Sequence, residues 1–283
     1  TFLWNFGNCI TLIETGTYPF LDPPPYVYPQ PGIYNLSLTA SDTCGVTEWD
    51  TTVVVLPLPA VDFLSDAVCE GQITTFNNLS QSIPSGIRIY TCPDTTFTID
   101  VPASGNINPS TAFLWNFDDP TSGSSNTSTL ENPTHLFTAC GTYNVNLQVT
   151  DDNGCINDTT IIVIVYDLPE PIFTVEDVCE GDSTCIDDIS QSNSINECYG
   201  HPLANWDWNI SYSSITTNSG TSGYAGNVFS SSFTSQTDFC NLLSPPCDSN
   251  TISFNYDITL ILEDSYGCVD SISDTTSVYC QPI

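Results

Sequence analysis

Apolar and polar residues alternate with a period of two in several short stretches of the chain. Phe113, Trp115 and Phe117 share one aromatic face. Tyr143, Val145, Leu147 and Val149 share another, with Asn144, Asn146 and Gln148 opposite. Trp206, Trp208 and Ile210 keep the same spacing. This period predicts half-buried β-strands. Ile161-Ile-Val-Ile-Val165 and Val53-Val-Val-Leu56 are unbroken apolar runs. They read as strands covered on both faces or lying at a sheet edge. Pro57-Leu-Pro59 and Leu168-Pro-Glu-Pro171 follow them directly. Proline cannot donate to a ladder, so these are short, stiff linkers. The stretch from Ser219 to Ser235, rich in Ser, Gly and Thr, reads as a loop.

The strand blocks repeat. Phe2-Leu-Trp-Asn-Phe6 recurs as Phe113-Leu-Trp-Asn-Phe117, and Val68-Cys-Glu-Gly71 as Val178-Cys-Glu-Gly181. Ser80-Gln-Ser82 recurs as Ser190-Gln-Ser192, again at a period of about 110 residues. Gly32-Ile-Tyr-Asn-Leu-Ser-Leu38 matches Gly141-Thr-Tyr-Asn-Val-Asn-Leu147 and, more weakly, Phe254-Asn-Tyr-Asp-Ile-Thr-Leu260. Gly154-Cys155 matches Gly267-Cys268, and Cys44-Gly45 stands in the same place with the order swapped. The pattern predicts an all-β chain of tandem antiparallel β-sandwiches joined by proline-rich linkers. A partial unit spans 1–57, and complete units span 58–168 and 169–283. The partial unit has no counterpart of the linker-to-Cys-Glu-Gly segment, and half a sandwich leaves an aromatic face in water. The expectation is that the natural chain extends upstream, with strands lent by another chain as the alternative.

Composition narrows the function. Hydrophobic residues make up 40%, enough for a core, so a net charge of −32 does not imply disorder. Arg88 is the sole Lys or Arg. Charge-driven binding to nucleic acid or to an anionic membrane surface is therefore excluded. No apolar run is long enough to span a bilayer, so direct membrane insertion is not expected. The chain contains no Met, so Thr1 is not an initiator and a processed or cut chain is expected. Thirteen cysteines point to disulfides, and so to an oxidising compartment outside the cell.

Trp115-Asn-Phe-Asp-Asp119, Asn132-Pro-Thr-His-Leu-Phe137, Gly141-Thr-Tyr-Asn-Val-Asn-Leu-Gln-Val-Thr-Asp151 and Asn153-Gly154 together resemble the polycystic-kidney-disease-type (PKD) domain. The resemblance is strong in the second unit and good in the first. It is weak in the third, which has no Asn-Pro-x-His. Asn stands at 5 and 116 where the family prefers Asp, and the family's Gly is lost at Asp118, which puts the loop geometry in question. The tandem copies, with their Val-Cys-Glu-Gly starts and Gly-Cys turns, look like giant surface proteins of Bacteroidetes, gliding adhesins among them. The resemblance implies Ig-like sandwiches, export to the cell surface, and a spacer, adhesive or filament role.

Cysteine spacing suggests bridges Cys69–Cys155 and Cys179–Cys268, each joining an early strand to a late turn of one unit. Cys92 with Cys140 would tie an insertion to a late strand. Cys185, Cys198, Cys240 and Cys247 allow three pairings, and Cys9 and Cys280 stay open. Cys44 is the late-turn cysteine of the first unit, with its partner expected upstream of Thr1. No Cys-x2-Cys pair exists, and His135 and His201 lie far from any such cluster, which argues against zinc. His135 reads as a hydrogen-bonded turn residue and His201 as a loop residue.

Asp-Thr-Thr occurs at 50–52, 158–160 and 274–276. With the Asp-Ser/Thr sequences at 94, 182 and 270, it resembles the Bacteroidetes O-glycosylation signal. The acceptors would be Thr51, Thr95, Thr159, Ser183, Ser271 and Thr275. No cofactor is required. Calcium is the one candidate, at the turn carboxylates Asp118, Asp119, Asp151 and Asp152. No catalytic residue stands out, so the chain reads as a non-enzyme. The expected function is an extracellular structural or adhesive stalk or filament segment, partnered by neighbouring repeats or copies of itself. The rivals are a carbohydrate- or protein-binding module using Trp4, Trp115, Trp206 and Trp208 on surface glycans, and an accessory region of a secreted hydrolase.

Overall fold

The computed structural model describes residues 1–14, 25–91, 96–108, 112–190, 198, 203–216, 220–233, 239–241 and 251–281. Its regular structure is strand throughout, apart from one 3-10 turn at Pro120–Asn126. The first strands are β1 (Phe2–Asn5), β2 (Thr11–Glu14), β3 (Gly32–Ser41) and β4 (Val46–Val55). Next come β5 (Phe63–Ser65), β6 (Val68–Cys69), β7 (Ile73–Asn78), β8 (Gly86–Thr91), β9 (Thr96–Val101), β10 (Phe113–Asn116), β11 (Thr127–Ser128), β12 (Thr134–Leu136), β13 (Gly141–Thr150) and β14 (Ile156–Tyr166). The last are β15 (Phe173–Val175), β16 (Val178–Cys179), β17 (Thr184–Asp188), β18 (Leu203–Thr216), β19 (Gly220–Phe233), β20 (Phe239–Asn241), β21 (Thr251–Asp264) and β22 (Val269–Tyr279). They form sheets ordered β2-β1-β3-β4, β11-β10-β13-β14-β6, β12-β7-β5, β15-β17-β20 and β16-β22-β21-β18-β19, with a separate β8-β9 hairpin.

The chain folds into two compact units. One comprises Thr1–Asp66, Thr74–His135 and Tyr143–Val163, and the other Ala67–Ile73, Leu136–Thr142 and Ile164–Ile283. In the first unit, Trp115 is fully buried, its ring 5.0 Å from Phe63 and 5.5 Å from Phe76. Those two residues come from β5 and β7, which form the facing layer. Val145, Leu147 and Val149 are all buried in the same core. Trp4 holds the place of Trp115 in β1 but is only half-buried.

The ladders repeat as the sequence blocks do. Trp4 pairs with Leu38, Trp115 with Leu147 and Trp208 with Leu260, each across an antiparallel pair. In the second unit Trp208 and Leu260 are fully buried beside Ile210, Ile258 and Leu262.

The β-branched run of β14 alternates. Ile162 is 62% exposed, whereas Val163 and Val165 are buried. This is the sheet-edge alternative, because β14 has β6 beside only its last two residues. One expectation fails. The Ser/Gly/Thr-rich stretch after 219 is strand β19, paired along β18 with bulges at Ile210/Ser211 and Tyr212/Ser214. Pairing with the long edge of β18 overrides the weak strand preference of these residues.

The packing sets a stability contrast. Leu147→Ala should lower the urea midpoint by the equivalent of about 2–5 kcal/mol. Ile162→Ala, on the open face, should stay within about 0.5 kcal/mol. Equal losses would contradict the assigned faces.

Candidate functional site

One turn and one short strand recur with the cysteines. In the turn after β13, Asp151 Oδ1 accepts from the N–H groups of Asn153 (3.0 Å) and Cys155 (2.8 Å), and Gly154 N–H donates to Asp151 O (3.0 Å). In the turn between β21 and β22, Asp264 Oδ1 accepts from Tyr266 and Cys268 N–H (2.8 Å each), and Gly267 N–H donates to Asp264 O (3.2 Å). Between β3 and β4, Asp42 Oδ1 accepts from Cys44 N–H (2.7 Å) and Gly45 N–H (3.0 Å). These are Asx turns, in which the carboxylate satisfies backbone donors that the hairpin leaves open. Gly154 and Gly267 take φ of +82° and +84°, which glycine adopts without strain.

The short strand docks at the other end. β6 lies parallel to the last residues of β14, pairing Val68 with Val165 and Cys69 with Tyr166, and Glu70 N–H donates to Tyr166 O (2.6 Å). β16 treats β22 identically: Val178 pairs with Val278, Cys179 with Tyr279, and Glu180 N–H donates to Tyr279 O (2.8 Å).

This geometry corrects the expected disulfides. Cys155 precedes the first residue of β14, whereas Cys69 pairs with its last. Eleven strand residues put about 35 Å between those places. A disulfide needs Cα atoms about 4.4–6.8 Å apart. Cys268 and Cys179 are separated in the same way along β22. The structure instead bridges Cys69 to Cys268, with Cα atoms 5.6 Å apart. Beside this bridge the Tyr166 and Tyr266 rings stack at 4.1 Å. Cys140 is bridged to Cys198 rather than to Cys92, with a Cα separation of 5.9 Å. Cys92, Cys247 and Thr95 lie outside the described residues. Cys9, Cys185 and Cys280 are bridged as well, while Cys44, Cys155 and Cys179 are free thiols. Both defined bridges join the 58–168 sequence unit to the 169–283 unit. No spacing rule could have revealed that, because the repeats carry the same cysteine classes.

The candidate calcium carboxylates do not converge. Asp118 and Asp119 follow β10, whereas Asp151 and Asp152 follow β13 at the opposite end of the β10–β13 ladder. Their oxygens are also engaged. Asp118 accepts from the Asn144 backbone N–H (2.9 Å) and Nδ2 (3.2 Å). Asp151 Oδ2 accepts from Gly105 N–H (2.8 Å), and Asp152 from Asn106 N–H (2.7 Å) and Nδ2 (3.1 Å). Among the described residues no group of three or more His, Cys, Asp or Glu is placed to hold a metal ion. Asp118 keeps the loop geometry of the lost glycine, with φ +60° against +75° at Gly7. An aspartate tolerates this region better than most residues.

His135 is buried, its Nε2 3.1 Å from Asp119 Oδ2 and its ring stacked 4.3 Å from Phe117. Thr121 Oγ1 donates to Asp119 Oδ1 (2.7 Å). This buried cluster pins the loop after β10. His201 lies outside the described residues. Trp115, Trp206 and Trp208 are buried in cores, so they form no glycan platform. Of the six acceptor positions, Ser183, Ser271 and Thr275 are exposed, and Thr51 and Thr159 are half-buried.

The hairpins, the aromatic strand and the closing β-branched strand of the middle repeat fall within one recognisable module. Residues 83–165 match the PKD domain. Over these residues the chain is similar to a PKD domain. PKD and Ig-like domains are generally non-catalytic and typical of extracellular proteins. No curated protein matches the chain. Among solved structures it is similar to three N-terminal domains of the bacteriophage RB49 outer capsid protein Hoc, at 10% identity and TM-score 0.38, covering 100% of this chain and 88% of that one. It is also similar to titin domains I67–I69, at 11% identity and TM-score 0.35, with 99% and 88% covered. A third likeness is to the fibronectin(III)-like modules of Clostridium thermocellum CbhA, at 9% identity and TM-score 0.31, with 80% and 95% covered. Likenesses this distant carry no inference about partners or activity. No helix among the described residues is long and apolar enough to cross a membrane.

Two outcomes follow from the site. Burial, and after it the Asp151 charge, pushes the Cys155 thiol above its ordinary pKa. Less thiolate is then present at a given pH. In the 283-residue chain alone, iodoacetamide should therefore label Cys155 more slowly than the exposed Cys44 and Cys179 at pH 8, and the gap should narrow as pH rises. Equal rates would contradict this environment. Because the turn carboxylates hold backbone amides, EDTA and millimolar calcium should give the same melting temperature, and a calcium-dependent rise would point to a site the geometry does not form.

Proposed function

We propose that the chain is a segment of an extracellular structural or adhesive stalk or filament, displayed on a Bacteroidetes-type cell surface and not an enzyme. Its repeats are 1–57, 58–168 and 169–283. One observation carries this reading: Cys69–Cys268 and Cys140–Cys198 each tie one sequence repeat covalently to the next. Such ties suit a load-bearing array better than a set of independent binding modules. The charge of −32 keeps neighbouring copies apart, and the single Arg88 leaves almost no trypsin site. O-glycans at the exposed Ser183, Ser271 and Thr275 would shield strand edges, which otherwise template aggregation. Partners are neighbouring repeats or further copies, with surface glycans second.

Electron micrographs of the intact protein purified from its cells should show beaded rods, and mild reduction should increase the bending between beads. A single compact particle, or beads whose bending ignores reductant, would refute the stalk assignment.

A further inference from the structure

We infer that Cys44, Cys155 and Cys179 are open halves of one recurring inter-repeat joint, each forming a disulfide with a cysteine of the complementary class on another repeat of this type. The closed joint defines the two classes. One is an early-strand cysteine, Cys69, laid by β6 against the end of β14. The other is a late-turn cysteine, Cys268, held in the Asp264 turn.

Each free thiol occupies one of these places. Cys179 repeats Cys69: it sits in the same Val-Cys-Glu-Gly strand, pairs with the same end of the closing strand, and is followed by the same Glu N–H bond. Cys155 repeats Cys268, with an Asp at the same offset accepting from the cysteine N–H at the same 2.8 Å. Cys44 stands in the Asp42 turn, two residues after the aspartate that accepts from its N–H rather than four. The early-strand cysteine of the 58–168 repeat meets the late-turn cysteine of the repeat that follows it. By that rule Cys155 and Cys44 each take the early-strand cysteine of the repeat preceding their own, and Cys179 takes a late-turn cysteine of a following repeat.

The surroundings of Cys155 are those of a joint. Asn157 Nδ2 donates to Pro59 O (2.9 Å), which brings the start of β14 to the linker that follows β4. In the closed joint Tyr266, two residues before Cys268, stacks on Tyr166, the last residue of β14. β4 is an edge strand with Val54 52% exposed, and no strand among the described residues plays for it the part that β6 plays for β14. Cys44 and Cys179 are exposed and so open to a partner.

Closing each joint removes two protons and two electrons from two thiols. A protein disulfide of the thiol-oxidoreductase class accepts them by exchange. One cysteine thiolate attacks the donor disulfide, and the second displaces the donor from the mixed disulfide as a dithiol.

The inference rests on the repeat reading above, but not on a stalk role. The test uses full-length protein from its cells, alkylated before unfolding and digested without reduction by a Glu-specific protease. Cys155 and Cys44 peptides should be found linked to early-strand Cys-Glu-type peptides, and Cys179 to a peptide from an Asp-x-x-Gly-Cys-type turn. A denaturing gel without reductant then separates the two sources: monomer mass means repeats of the same polypeptide, and a ladder means a second copy. Cys155→Ser and Cys179→Ser should each turn one partner cysteine from unlabelled to fully labelled. The inference is overturned if the three thiols carry the alkylating reagent or a small thiol. Links Cys69–Cys155 or Cys179–Cys268 would overturn it too, and with them the inter-repeat bridge behind the stalk proposal. Free thiols beside an intact Cys69–Cys268 link would leave that proposal standing.

Discussion

The length of a closing strand decides which cysteines can meet. β14 and β22 each run for 11 residues, with a cysteine turn at the start and a docked cysteine strand at the finish. A sandwich of that height cannot clasp itself with those two residues. It presents one thiol class at each end, which makes the ends complementary. The arrangement of the bridges, and the thiols left over, depend on this separation.

The core follows from a second constraint, the pairing of an aromatic strand with an aliphatic one. Trp115 opposite Leu147 and Trp208 opposite Leu260 fill the same place, although the PKD match covers only the first of these pairs. Trp4 opposite Leu38 keeps the register, yet the tryptophan remains half-buried. Register is thus set within one sheet, whereas full burial needs the facing layer that Phe63 and Phe76 supply to Trp115.

Much of this was legible in the residues. Alternation at Val145, Leu147 and Val149 marks the buried face, and the recurrence of Trp-Asn and Val-Cys-Glu-Gly marks the repeats. The cysteines were legible as classes but not as pairs. Equivalent residues a repeat apart look alike to any spacing argument, and only the place where β6 docks separates a bond within a repeat from one between repeats. The turn aspartates were similarly ambiguous. Asp118, Asp151 and Asp152 have the composition of a cation site, but their lone pairs go to the N–H groups of Asn144, Cys155 and Asn106. The stretch after Ser219 was misread because its strand character comes from β18, which no local pattern encodes.

The Cys69–Cys268 bridge spans 199 residues of sequence while joining points a few ångströms apart. Tension arriving from either side therefore has two covalent routes, the peptide linker and the sulfur crossing, and severing one leaves the other intact. A backbone cut anywhere between those two cysteines would nick the molecule without parting it. Damage tolerance of that kind resembles a rope whose strands are tied at intervals, where a single broken fibre sheds its load at the next knot.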